Sequence, residues 1–203
     1  MALAVAAPAS ASASHTSTCV TGLLDWDSFK DGSTQTGLNL TPGGNTGVTL
    51  RVTTSGDTAK TNGQVTKTTT GGKSSVLRFY DVNNKKNTSQ TVTITFSKTV
   101  RNVQFSLLDV DSSTGEYEDL VQIVSPTTYT GAVHSNVTGA GTKAKPYRAK
   151  TTNSPVAGSS ANSNVDLAFV GPLTSISFIY GQDGTVGGDP FIGISDISFQ
   201  YCS

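Results

Sequence analysis

TVTITFSKTVRNVQFSLLDVDSS, residues 91–113, decides the fold class. Val92, Ile94 and Phe96 alternate with Thr91, Thr93 and Thr95, the period of a strand with one face in a core and the other in water. Val103, Phe105 and Leu107 continue the alternation after a turn predicted at Lys98-Thr99. On either side the same signal recurs in residues 48–52, 76–80, 120–124, 165–170, 176–180 and 191–201. In the last of these, Ile192 and Ile194 share one phase, whereas Ile197, Phe199 and Tyr201 share the other. One extra residue swaps the faces of a strand, so Ser195-Asp196 reads as a β-bulge. Pro42-Gly43-Gly44, Gly71-Gly72, Asn83-Asn84, residues 139–141 and Gly187-Gly188 punctuate the runs with turn chemistry. The pattern predicts an all-β fold, a two-sheet antiparallel β-sandwich of jelly-roll type, with a closed barrel as the alternative.

Composition agrees. Threonine, serine and glycine dominate the 203 residues, charged residues are 14%, and methionine stands only at position 1. Long runs of helix-building residues are missing. The formal charge is zero, without the basic stripe that tracks phosphates, which excludes nucleic acid as the expected partner. No apolar run approaches membrane-spanning length, so membrane insertion is not expected. Residues 1–13 read as a residual signal peptide, with an apolar stretch at 3–7 and a small-residue cleavage site at Ala11-Ser12-Ala13, although the basic n-region is absent. A short polar arm at 14–18 and a β-sandwich domain at 19–203 come next. Cys19 and Cys202, at opposite ends of that domain, predict a disulfide joining the first and last strands of a secreted, extracellular protein.

Residues 105–123, FSLLDVDSSTGEYEDLVQI, hold both glutamates and three of the twelve aspartates. They read as a β-hairpin turning at residues 112–115. Carboxylates this crowded repel one another unless neutralised. Asp109, Asp111 and Asp119 are therefore candidate ligands for a hard cation, with calcium as the candidate cofactor. The spacing is not that of an EF-hand, because Thr114 occupies the glycine position and Leu120 the final glutamate position. The alternative is a solvated loop balanced by Arg101 or Lys98. A second acidic group, Asp25, Asp27 and Asp31 with Asp183, Asp189 and Asp196, reads first as turn chemistry.

Catalysis has little support. The two histidines are His15, in the polar arm, and His134, and no G-x-S-x-G elbow accompanies them. Glu116 and Glu118 share one strand face, so they could not flank a sugar from opposite sides. The chain is expected not to be an enzyme. For binding, Tyr117 stands between the two glutamates and Tyr147 follows Pro146 in a loop. Tyr117, Glu116, Glu118 and Tyr147 are the candidate ligand-binding residues, with an extracellular glycan or protein as partner. Trp26, between Leu24 and Phe29, reads as core.

LLDWDSF, TVTITFSKTVRNVQFSLLDVDSS, EYEDLVQI, GAGTKAKPYRA and ISFIYGQDG with IGISDISFQYC together resemble a group of secreted single-domain proteins of high-GC Gram-positive bacteria, similar in pattern to jelly-roll and lectin-like domains. The resemblance covers much of the domain and implies export and a β-sandwich. It carries over no catalytic residue. Without a sortase motif or apolar tail after Cys202, the chain is expected to be released or held at the surface by another molecule.

Overall fold

The computed structural model describes residues 17–57, 61–81, 87–125, 127–152, 155–183 and 190–203. Residues 1–13, expected to be a residual signal peptide, residues 14–16 with His15, both turn pairs Asn83-Asn84 and Gly187-Gly188, and Asp189 lie outside the described residues. The protein is all-β. Its strands are β1 (Cys19–Leu24), β2 (Asn39–Leu40), β3 (Leu50–Gly56), β4 (Gln64–Thr66), β5 (Val76–Tyr80), β6 (Ser89–Leu108), β7 (Ser112–Ser113) and β8 (Tyr117–Val124). The series continues with β9 (Tyr129–Val133), β10 (Val137–Thr138), β11 (Arg148–Ala149), β12 (Val165–Phe169), β13 (Leu173–Gln182), β14 (Phe191–Ile194) and β15 (Ile197–Cys202). A single 3-10 turn, Trp26–Ser28, is the helical exception among the described residues. No helix there is long and apolar enough to cross a membrane.

The organising element is β6, whose twenty residues run straight through the turn expected at Lys98-Thr99. Val92, Ile94, Phe96 and Val100 are buried on one parity; Val103, Phe105 and Leu107 are buried on the other. Asn102, at φ 49°, lies between the two sets, and one left-handed residue changes the phase of a strand without reversing it. The chain therefore bends where a hairpin was expected. Upstream of the bend β6 pairs with β3 and β13; downstream it pairs with β12, β14 and β15, all antiparallel. One large curled antiparallel sheet results, with its apolar side chains turned inward.

The ends of the domain meet as expected. β1 pairs with β15 from Cys19↔Cys202 to Leu24↔Ile197, and Cys19 and Cys202 form a disulfide. The phase switch at Ser195-Asp196 is a break between β14 and β15, and it anchors the amino end. The buried Trp26 donates its indole N–H to the Ser195 carbonyl at 2.9 Å, and Asp196 accepts the Trp26 backbone N–H at 2.9 Å. Of the terminal acids, Asp25 serves turn chemistry, accepting from the Asp27 N–H at 2.8 Å, whereas Asp31 reaches a distant strand end and accepts from the Lys67 N–H at 2.9 Å.

Candidate functional site

The acidic segment is not one hairpin. β6 stops at Leu108, and β8 pairs with β13 instead of β6. Residues 109–111 cross between them, beginning at Asp109 in a left-handed conformation, φ 67°. Only β7 and the start of β8 form a hairpin ladder, Ser112↔Glu118 and Ser113↔Tyr117. The crossing carries Asp109 and Asp111 inward, and Asp119 joins them from the buried face of β8, so that all three are buried.

Hydrogen bonds offset part of the cost of burying Asp111 and Asp119 side by side. Asp119 accepts the Tyr180 hydroxyl at 2.8 Å on one oxygen and the Asp111 backbone N–H at 3.2 Å on the other. Asp111 accepts the Val156 N–H at 2.7 Å and a bond from the Tyr117 hydroxyl. Burial raises the pKa of Asp111 against these donors. In Asp119, burial and the charge of Asp111 push it well above the carboxylate range. Asp109 is pushed up to about 7, by burial first and then by Asp111. The cation opposing that shift is Arg78, not the expected Arg101 or Lys98; Lys98 instead lies 4.7 Å over the ring of Tyr201.

Among the described residues no three histidine, cysteine or acidic side chains are placed to hold a metal ion together. Asp109 Oδ1 nevertheless has no hydrogen-bond partner, and neither have Ser163 Oγ and Asn164 Oδ1, all three buried. These residues meet where β6 leaves its sheet and β12 begins, tied by the Val110 N–H to the Ser163 carbonyl at 2.9 Å and by Asn164 Nδ2 to the Gly71 carbonyl at 2.8 Å. Buried oxygens without donors are acceptor sites for an ion or an ordered water.

His134 has a carboxylate and a serine within reach, in an order unsuited to nucleophilic catalysis. Its Nε2 lies 3.0 Å from Asp166 Oδ2, while Ser106 donates to Asp166 Oδ1 at 2.6 Å. The aspartate stands between serine and histidine, so the serine hydroxyl faces a carboxylate and not the imidazole. Burial raises the Asp166 pKa, but the Ser106 and His134 contacts outweigh it and the net shift is downward.

The four proposed ligand-binding residues are divided by the fold. Glu116 is exposed in the turn before β8. Glu118 pairs with Arg148 at 3.7 Å. Tyr117 is half-buried with its hydroxyl committed to the acids. Tyr147 corrects the reading of an exposed loop aromatic: it is 2% exposed. Its backbone exchanges two 2.9 Å hydrogen bonds with Val121, which turns the ring inward. Its hydroxyl bonds Tyr129, whose own hydroxyl donates to the Ala140 carbonyl at 3.0 Å, so burial leaves no phenol unpaired.

Beside β8 lies a feature that no local sequence signal announced. Leu120, Gln122, Ile179 and Gly181 floor a groove of about 350 Å³ that Lys143, Pro146, Asn87 and Asp183 also line. Gln122↔Ile179 and Leu120↔Gly181 are cross-strand partners of β8 and β13, so each pair presents its side chains to one face. No family model, curated protein or solved structure matches this chain. The site therefore has to be interpreted from its chemistry. An apolar floor with amide and charged rims is the lining of a binding site, at the small end of the usual size range.

The wall formed by residues 139–147 is rigid. Gly139 has φ +105°, and a Cβ there would lie 1.9 Å from the Pro146 carbonyl oxygen. Gly141, at φ +67°, faces the Tyr147 ring, 2.5 Å from where a Cβ would sit. Gly139→Ala is expected to destabilise the protein by about 2 kcal/mol or more, measured as a lowered thermal midpoint; an unchanged midpoint would show that the wall can relax.

Proposed function

We propose that this chain is a secreted, non-enzymatic recognition domain that binds a cell-surface glycan or protein, assisted by a bound cation, calcium by chemistry. The observation that carries the reading is the groove over β8 and β13, a concave surface with a closely packed wall. The resemblance to exported Gram-positive domains supports secretion, as does the disulfide. We read the curled sheet as a two-sheet sandwich of jelly-roll type, because β6 lends one half to each set of partners. The support for a cation is the set of donor-free oxygens of Asp109, Ser163 and Asn164, which are the hard ligands that calcium takes.

Binding to immobilised glycans or cell-wall material, weakened by Gln122→Ala and Ile179→Ala, tests the groove. Retention of full binding in both variants would refute it. Calcium at 1 mM (about the range of extracellular sites) is expected to raise the thermal midpoint, with Asp109→Asn removing most of the gain. The absence of any shift in the wild type would eliminate the cation. A second reading, a structural or adaptor subunit of an extracellular assembly, is favoured by β9, an exposed strand that among the described residues pairs only with β12. Its outer edge could receive a strand from a partner. Co-purification at fixed stoichiometry, lost when Thr130 is replaced by proline, would support it.

A further inference from the structure

We propose that the groove and the hollow behind its wall form one site for an anionic glycan, a polysaccharide carrying carboxylate or phosphate groups. This rests on the recognition reading above and specifies its ligand. Four of the chain's 14 basic residues, Lys143, Lys145, Arg148 and Lys150, fall within eight positions, and all four are exposed. Lys143 stands on the wall of the groove. Lys145 and Arg148 line a second hollow of about 470 Å³, and Pro146 borders both. Arg148 is engaged by Glu118, and Lys150 donates to the Ser135 carbonyl at 2.6 Å. Lys143 and Lys145 have no carboxylate partner among the described residues.

Two uncompensated cations on one ordered loop differ from a solvated charge run, because their backbone is fixed before any ligand arrives. The Lys145 N–H donates to the Thr142 carbonyl and its hydroxyl, each at 3.1 Å, and the Lys145 carbonyl accepts from Ala140 at 2.9 Å. The Tyr147–Tyr129–Ala140 chain of hydroxyls pins the same loop from beneath. A preorganised cation loses less freedom on binding than a mobile one. Asp183 also lines the groove, at the end where it follows β13, and repels an anion from that end toward the lysines. Hollows on both sides of Pro146 suit a chain that passes over the wall, its sugar faces on Leu120 and Ile179 and its anionic groups at Lys143 and Lys145.

The test compares polygalacturonate, a phosphodiester-linked polyol, neutral dextran and single-stranded DNA as ligands for the full chain at 50 and 300 mM salt. Tight binding to either anionic polymer is expected, with the stronger of the two naming the group recognised. Lys143→Gln/Lys145→Gln is expected to weaken it about tenfold, while Lys30→Gln/Arg51→Gln, exposed lysine and arginine elsewhere, leaves it unchanged. Salt should weaken it as well. A thermal midpoint matching the wild type shows that the double variant is folded. Equal binding of dextran, full affinity in the loop variant, or preference for DNA overturns the anionic site. Dextran bound in the groove would still uphold the recognition reading, whereas failure of every glycan would remove both.

Discussion

Removing the Cys19–Cys202 bridge is expected to lower the unfolding free energy by about 5 kcal/mol, the chain-entropy value for a closed loop this long. The two cysteines are separated by 183 positions, so the bridge constrains nearly the whole unfolded chain. The local packing of β1 gives the effect a folded-state component as well. β1 pairs along its length with β15 and is bridged on its other edge at Leu23, to Gly43, and along it only Gly22 and Leu24 are buried, with Val20 and Leu23 exposed. Little apolar area holds the strand once the bridge is open. The 3-10 turn beyond it depends on β1 as well, because Trp26 enters the core directly after Leu24. Urea unfolding of the wild type with and without reductant, beside Cys19→Ser/Cys202→Ser, measures the loss. A reductant-insensitive midpoint equal in all three would show that β1 holds without its clamp.

The strand pattern was legible because burial writes directly into alternation. Residues 76–80 are a strand to the residue, and 165–170 and 176–180 fall on β12 and β13. The turn expected at Lys98-Thr99 failed for an instructive reason. Exposed polar residues followed by a phase change read alike whether the chain reverses or merely bends, and only the pairing of β6 with strands far away in sequence distinguishes them. The hairpin at 105–123 failed for the same reason: β13 lies between β6 and β8 in the sheet, a relation set by residues dozens of positions away. The short strands β2, β4, β10 and β11 have too few residues to show a period.

Site residues divided along the same line. The crowding of Asp109, Asp111 and Asp119 was visible, because like charges close in sequence remain close in space. The burial of Asp109 and Asp111 was not, since it follows the left-handed step at Asp109; that of Asp119 lay in the alternation it shares with Val121 and Ile123. Tyr147 misled because Pro146 marks an exposed turn in the absence of the Val121 bridge. The groove was invisible: Gln122, Ile179 and Lys143 belong to three segments, and nothing local to any of them marks the other two. Ser163 and Asn164 became notable only through what their oxygens lack.

The protein is expected to be more stable at pH 5 than at pH 8, by about 3 kcal/mol in unfolding free energy from Asp109 alone. Its folded pKa is raised to about 7 from 3.8 in the unfolded chain. Below 3.8 the group is protonated in both states and its neutral burial costs no ionisation. As pH rises past 3.8 the unfolded state ionises first, so stability falls until the folded group ionises near 7. Asp111 and Asp119, also raised, add to the same slope; Asp166, lowered and partly exposed, opposes it weakly. Asp109→Asn keeps the shape and removes the ionisation. In a chelating buffer it should flatten the profile and leave the variant more stable than wild type at pH 8. Calcium bound at Asp109 would favour the carboxylate, so in the wild type it should shrink the pH dependence that chelation exposes. Urea midpoints from pH 4.5 to 8.5, with EDTA and with calcium, measure both. A wild-type stability that rises with pH in EDTA would mean that Arg78, instead of burial, sets the charge of Asp109.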